Sequence, residues 1–147
     1  MEQAWTVPDV HLLTDGGEGQ IAVPHLTLTF APTGMELDKA DGEEVWSSTW
    51  TQLQELSPVE RSVLPDGRDG VVILVVERED RRRHRFVLPT DDVASTEATI
   101  RRRAVGHGLQ TRSPRPAVSR ALSASIVLAA AAVMAALLLS AAHVIRL

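Results

Sequence analysis

The sequence contains no cysteine and no tyrosine, and only five of its 147 residues are aromatic. It also lacks asparagine, which excludes N-linked glycosylation. The absence of cysteine excludes disulfide bonds, thiol catalysis and zinc sites built from thiolates. Because so few aromatic side chains are present, we expect Trp46 and Trp50 to pack in a core rather than to form a platform for a ligand.

Charge is divided unevenly along the chain. Residues 1–100 hold all 19 acidic residues and eight basic ones, whereas residues 101–147 hold seven arginines and no acidic residue. An acidic domain is a poor general binder of nucleic acid, because neutralising phosphates requires a basic face. We therefore expect no nucleic-acid partner.

One segment of the chain, residues 121–145, has no charged residue, and 21 of its 25 residues are Ala, Val, Ile, Leu or Met. As a helix it would be ~37 Å long, whereas the hydrocarbon core of a bilayer is ~30 Å thick. The segment therefore predicts a single transmembrane helix. The alternative, a buried Ala-rich core helix, would need more apolar surface around it than the polar remainder offers.

Small residues recur within this apolar segment at a spacing of four. Ser125 and Ala129 form one such pair, and Ala132 and Ala136 form another. This spacing lets two membrane helices approach closely. A homodimer through the transmembrane helix is therefore one partner hypothesis.

The charges that flank the segment predict its orientation. Six of the seven arginines in residues 101–147 precede it, and only Arg146 follows it. The excess of positive charge keeps residues 1–120 in the cytoplasm and leaves residues 146–147 outside. The first ten residues have no signal-peptide pattern. The sequence thus predicts a single-pass, tail-anchored protein of the cell membrane with a cytoplasmic N-terminal domain.

A linker separates the predicted domain from the predicted membrane helix. Residues 106–120 read GHGLQTRSPRPAVSR, with two glycines, two prolines and no hydrophobic period. We place the domain at residues 1–106 and the linker at residues 107–120. Its three arginines either contact anionic lipid headgroups, for ~1 kcal/mol each, or only set the orientation of the chain. They are Arg112, Arg115 and Arg120.

The pattern of residues 5–90 predicts β-strands. Leu26, Leu28 and Phe30 alternate with threonines, as in a half-buried strand. Asp41-Gly42 is a strong signal for a two-residue hairpin turn, and residues 58–70 are predicted to form a loop. The predicted strands cover residues 7–13, 26–30, 35–37, 45–50 with 53–56, 71–76 and 83–88.

A helix is predicted to follow the strands. Thr90 is the expected N-cap, Asp91 and Asp92 lie at the positive end of the helix dipole, and Gly106 is expected to end the helix. Several antiparallel strands followed by one amphipathic helix predict a mainly β (α+β) domain. The most economical form is a small bent sheet or barrel whose open end is capped by the helix.

Residues 5–106 carry a strand order, a hairpin (LTLTFAPTGMEL and DGEEVWSSTW), a strand-to-helix junction (RHRFVLPTDD) and a closing helix. In these features the chain resembles the PH-like (pleckstrin-homology/GRAM) superfamily. The resemblance implies a binding module without catalytic groups. Lipid-binding members use a basic loop between their first two strands, but residues 15–20 here contain two acids and no base. No lipid-site residue is therefore assigned.

No motif predicts an enzyme, a cofactor site or a metal site. Gly17, Gly19 and Ala22 fit G-x-G-x-x-A, but a strand is predicted after them instead of the helix that a dinucleotide site requires. The five histidines are scattered with no pair four residues apart, and no serine lies in a nucleophile motif. We expect no catalytic, cofactor-binding or metal-binding residues.

A cluster of five arginines precedes and enters the last predicted strand. The arginines alternate with Glu77, Glu79 and Asp80. They form either a patch that binds a partner or a solvated hairpin tip held by local ion pairs. The five are Arg78, Arg81, Arg82, Arg83 and Arg85.

Together these features predict a protein of the lipid bilayer whose cytoplasmic PH-like domain is a non-enzymatic interaction or recruitment module. Its partner would be a cytoplasmic or membrane protein. The alternative is a small accessory subunit of an integral membrane complex that assembles through the Ala-rich helix.

Overall fold

The computed structural model describes residues 2–16 and 19–113, which form seven antiparallel strands and one α-helix. The fold-class prediction is confirmed in this form: the domain is mainly β, with a helix after the last strand. The elements are β1 (Trp5–Gly16), β2 (Gly19–Phe30), β3 (Gly34–Asp38), β4 (Glu44–Thr49), β5 (Leu53–Val63), β6 (Asp69–Glu77), β7 (Arg83–Pro89) and α1 (Val93–Gly106).

All seven strands belong to one sheet, in the order β4-β3-β2-β1-β7-β6-β5. Strands that follow one another in the chain are paired, except β4 and β5, which lie at the two edges. Strand β1 joins the two halves, because it pairs with β2 along most of its length and with β7 through residues 11–13. A turn is confirmed at Asp41-Gly42 between β3 and β4, with Gly42 at a φ of 86°. Its loop has three residues instead of the predicted two, because the backbone N–H of Lys39 donates to Glu43 and that of Gly42 donates to Lys39.

Irregularities in β1 and β2 bend the sheet. The register between the two strands shifts on both sides of Val10. Asp9 and His25 have φ angles of 55° and 61°, a conformation that such residues rarely adopt within strands. Bulges of this kind increase local twist. Trp46 of β4 contacts Phe86 of β7, with ring centroids 5.7 Å apart, although three strands lie between them in the sheet. The sheet is therefore curled, and we call the side of this contact the concave face.

The main core lies on the concave face. Every residue of Val71–Val76 is buried, which confirms the prediction from this apolar run. Val71, Ile73 and Val75 belong to the main core, whereas Val72 joins a smaller cluster. Alternation along the strand places that smaller cluster on the opposite side, which we call the outer face.

The helix N-cap differs from the prediction. Asp92, not Thr90, is the cap residue, and its side chain accepts a hydrogen bond from the backbone N–H of Ser95 at 3.0 Å. The Thr90 hydroxyl accepts from the backbone N–H of Asp92 at 3.1 Å and so orients the cap. A carboxylate at this position also complements the positive end of the helix dipole.

The helix ends at Gly106, as predicted, but a different glycine turns the chain there. The left-handed residue after the C-cap His107 is Gly108, with a φ of 70°. The backbone N–H of Gly108 donates to Val105, and that of Leu109 donates to Ala104. These two bonds form a Schellman motif, in which a left-handed glycine turns the chain back toward the helix.

Strand β5 occupies part of the predicted loop at residues 58–70. It continues through Pro58 to Val63, and Pro58 is paired with Ile73 of β6. Proline is tolerated here because β5 is an edge strand, where a missing N–H disrupts no ladder on the open side. The loop prediction was therefore wrong for residues 58–63, and also for residues 69–70, which begin β6.

Packing of the domain continues past residue 106, where its end was predicted. Leu109 is buried in the main core, and Gln110 forms a parallel bridge with Glu55 at the edge of β5. Among residues 2–16 and 19–113, no helix has the length and apolar character needed to cross a bilayer. The predicted membrane helix at residues 121–145 and the end at residues 146–147 lie outside the described residues.

Candidate interaction surface

The arginine cluster lies on the hairpin that joins β6 to β7. The turn is closed by a hydrogen bond from the backbone N–H of Glu77 to the carbonyl of Arg82 at 2.9 Å. Asp80 accepts from the backbone N–H of Arg82, and Arg81 takes a left-handed conformation with a φ of 55°. The predicted charged turn is confirmed at this position.

Two of the five arginines are used within the domain. The Arg78 guanidinium donates to the carbonyl of Leu53 at 3.2 Å, and so joins the hairpin to the start of β5. The Nε of Arg82 lies 3.0 Å from a carboxylate oxygen of Asp80. These contacts match the hypothesis of a tip held by local interactions.

The other three arginines are exposed and unpaired. Within the described part of the chain, Arg81, Arg83 and Arg85 have neither a hydrogen-bond partner nor an ion-pair partner. Arg83 and Arg85 are alternate residues of β7, so their side chains leave the same face of the sheet. We call these three residues the arginine surface.

Apolar side chains lie beside the arginine surface on the outer face. Arg83 is paired with Val76 of β6, and Arg85 with Leu74. Val76 and Leu74 are both buried. Directly opposed residues of antiparallel strands have Cβ atoms ~5 Å apart, so the aliphatic stems of the arginines can cover these apolar residues. A weakly polar floor strengthens the attraction of a guanidinium group for an anion.

The buried carboxylate of Glu55 lies two strands away from Arg83. Arg83 of β7, Val76 of β6 and Glu55 of β5 are paired in turn and form one cross-strand row. Glu55 of β5 is paired with Val76 and is only 3% exposed. Its two carboxylate oxygens are each 3.0 Å from the guanidinium of Arg112, an arrangement in which both charges are neutralised. Ser57 donates to Glu55 at 2.8 Å and accepts from the backbone N–H of Arg112.

This contact gives Arg112 a role inside the domain. Arg112 was predicted to set topology or to contact headgroups, and the structure places it on Glu55 at the edge of the sheet. The other two residues of that prediction, Arg115 and Arg120, lie outside the described residues. Sequence reasoning missed Glu55, because its partner Arg112 lies 57 positions away in the chain.

Two ion pairs elsewhere change pKa values. The pKa of Arg61 is raised because its side chain donates to Glu97 at 2.9 Å and is attracted by that carboxylate. The pKa of Asp66 is lowered, chiefly because it accepts a hydrogen bond from the backbone N–H of Arg68. Both pairs hold elements together: Arg61–Glu97 joins β5 to α1, and Asp66–Arg68 closes the turn before β6.

The tryptophans pack as predicted. Trp50 is buried, donates from its indole N–H to the carbonyl of Ala31 at 3.0 Å, and stacks on His107. Trp46 packs against the main core and contacts His84 and Phe86. Neither ring is presented as an open platform.

Three other kinds of candidate site were considered: metal sites, the groove beside α1 and the G-x-G-x-x-A pattern. Among residues 2–16 and 19–113, no group of three or more His, Asp or Glu side chains is arranged to hold a metal ion. A groove of about 570 Å³ runs beside the first turns of α1, but Asp92 in its wall is already used as the helix cap. Of the G-x-G-x-x-A pattern, Gly17 lies outside the described residues, and Gly19 and Ala22 belong to β2.

No protein-family model and no curated protein matches the chain. The arginine surface is therefore interpreted from charge, burial and sheet register alone. Its distinguishing property is three exposed cations without partners on a domain whose first 100 residues carry 19 acids and eight bases.

Proposed function

We propose that this chain is a single-pass membrane protein whose β domain is a non-enzymatic module that binds another protein at the cytoplasmic surface. The observation that carries the proposal is the arginine surface. Exposed guanidinium groups that no acid among the described residues neutralises are suited to bind carboxylates of a partner. The proposed patch keeps three of the five predicted arginines. Arg78 and Arg82 are left out because they make contacts within the domain.

Membrane attachment rests on residues 121–145. The segment has no charged residue and is long enough to span a bilayer as a helix. Attachment would hold the arginine surface near membrane proteins and raise the effective concentration of any partner there.

A PH-like barrel is the proposed form of the domain. Three observations support it: seven strands in meander order, a first strand that pairs with both the second and the seventh, and one helix after the seventh. The concave core and the contact of Trp46 with Phe86 across it also favour a strongly curled sheet. We assign no headgroup site to the loop between β1 and β2.

Attachment can be tested by placing a charge in the apolar segment. Leu138→Arg places a charge five residues from the middle of the segment and adds up to ~2.5–3.5 kcal/mol to the cost of insertion, the value at a helix centre. The full chain should therefore move from the membrane fraction to the soluble fraction. Leu138→Ile is the matched control and should remain with the membrane. If Leu138→Arg fractionates like the control, the segment is not the anchor.

Orientation needs a separate measurement. Protease added outside intact cells should leave residues 1–113 uncut, because a cytoplasmic domain is shielded by the membrane. The same protease should digest exposed loops of the domain after the cells are opened. Cleavage in intact cells would contradict the cytoplasmic placement.

The second candidate function is an accessory subunit that assembles through the apolar segment. The small-residue spacing of Ser125 and Ala129 favours it, because such pairs allow close helix packing. Replacing residues 137–139 with other apolar residues separates the two candidates. An interaction module tolerates the change, whereas a helix that assembles with other helices loses its partners.

A further inference from the structure

We propose that the arginine surface binds an extended acidic segment of a partner protein, and not the surface of the bilayer. This inference rests on the proposed function, since it names the chemistry of the partner that the domain would hold. It depends on three observations: the spacing of the arginines, the charges around them and the neutralisation of Glu55.

The spacing of the arginines matches an extended chain. Arg83 and Arg85 are two residues apart on a strand, so their Cα atoms lie ~6.7 Å apart on the same face. An extended peptide has the same period, and acidic residues at alternate positions project toward one side at that spacing. Arg81 lies in the turn before β7 and can engage a further acid beyond the start of that strand.

The charges around the arginine surface favour an extended peptide segment over a bilayer surface as the ligand. Glu79 is exposed at the tip of the same hairpin beside Arg81, whereas Asp80 is already paired with Arg82. An anionic bilayer would meet the Glu79 carboxylate together with the arginines and would be repelled by it. A single extended segment can follow the row of arginines and leave the acids in water.

The contact between Glu55 and Arg112 removes one opposing charge from the outer face. The exposed Glu60 of that face is paired with Val72, farther from the hairpin tip. Glu55 lies in the same cross-strand row as Arg83. Without a cation beside it, that carboxylate would repel an acidic ligand on the outer face. Because Arg112 neutralises it, the outer face presents cations over the apolar pair Val76 and Leu74.

The experiment uses the full chain reconstituted in nanodiscs of phosphatidylcholine. The probes are two fluorescein-labelled peptides of identical composition, Thr-Glu-Thr-Glu-Thr-Glu-Thr and Thr-Thr-Glu-Glu-Glu-Thr-Thr, and binding is measured by fluorescence anisotropy. We expect the alternating peptide to bind more tightly, with an affinity that falls as salt is added. Arg85→Glu should weaken it by roughly tenfold or more.

Arg102→Glu is the matched control, because Arg102 is an exposed arginine of α1 outside the arginine surface. It makes the same change in net charge and should leave the affinity nearly unchanged. Arg85→Gln should give an intermediate loss. Circular dichroism of each variant shows that the fold is retained, and a variant that loses its β spectrum is replaced by Arg83→Gln.

Three results would overturn the proposal. Equal affinities for the two peptides would remove the argument from spacing, and equal losses in Arg85→Glu and Arg102→Glu would reduce binding to net charge. In nanodiscs containing phosphatidylserine, protection of β7 from hydrogen exchange together with loss of peptide binding would make the bilayer the ligand. Failure of the chain to enter nanodiscs would instead contradict membrane attachment, and the peptide titration in detergent would still test the surface.

Discussion

Replacing Arg112 with alanine should destabilise the domain more than its exposed position suggests. The Arg112 side chain is 67% exposed, but the Glu55 side chain that it neutralises is only 4% exposed. The substitution leaves a buried carboxylate whose remaining side-chain donor is Ser57. The energetic effect therefore comes from the burial of Glu55 and not from the exposure of Arg112.

The loss of unfolding free energy in Arg112→Ala depends on the interactions that Glu55 keeps in the variant. Removing one partner of a fully buried ion pair costs ~3–5 kcal/mol. Water reaches this pair from the side of Arg112, and Ser57 still donates to the carboxylate, so we expect ~1–3 kcal/mol, as for a buried acceptor that loses a charged donor. For a domain of this size, each kcal/mol lowers the melting temperature by ~4–8 °C.

The assay is urea unfolding of a fragment covering residues 1–113, followed by far-ultraviolet circular dichroism at neutral pH. Arg68→Ala is the matched control, because Arg68 pairs with the exposed carboxylate of Asp66 at 2.7 Å. Exposed pairs contribute ~0–1 kcal/mol, so the control should be nearly neutral. If Arg112→Ala costs no more than Arg68→Ala, the reasoning about Glu55 is refuted.

Three further predictions concern the fold. Gly34→Ala should lower the free energy of unfolding by ~1–3 kcal/mol, because a Cβ there would lie 2.1 Å from the carbonyl oxygen of Ser48; an unchanged urea midpoint would contradict the close approach. Phe86→Ala should cost ~3–5 kcal/mol, since Phe86 is fully buried, and a smaller loss in the same assay would indicate a core that refills the cavity. The pKa of Asp66 is lowered by Arg68, so Asp66 stabilises the domain above its ordinary pKa and this contribution is lost as pH falls. Asp66→Asn should therefore make the free energy of unfolding depend less on pH at acidic pH. Identical curves for the variant and the parent chain would contradict this.

Local patterns predicted much of the fold. The alternation of Leu26, Leu28 and Phe30, the apolar run Val71–Val76 and the Asp41-Gly42 turn each depend on neighbouring residues, and each was found where it was expected. Trp46 and Trp50 were also expected to pack in the core, because few other large side chains are present.

Features that depend on distant residues were not predicted. The continuation of β5 through Pro58 depends on its place at the edge of the sheet, which a linear pattern does not reveal. The contact between Glu55 and Arg112 joins residues 57 positions apart. For the same reason the sequence did not separate Arg78, which donates to the carbonyl of Leu53, from the arginine surface, whose residues have no partner in the described part of the chain.

The most direct test of the account is photo-crosslinking in cells that express the full chain. A photoreactive residue at Glu79 lies beside the arginine surface and leaves its three arginines intact, and one at Lys39, in the exposed β3–β4 turn, is the control. We predict a discrete protein adduct from position 79 in the membrane fraction that is lost in Arg85→Glu and absent from position 39. The same adducts from both positions, or none from position 79, would contradict the claim that this surface binds a protein at the membrane.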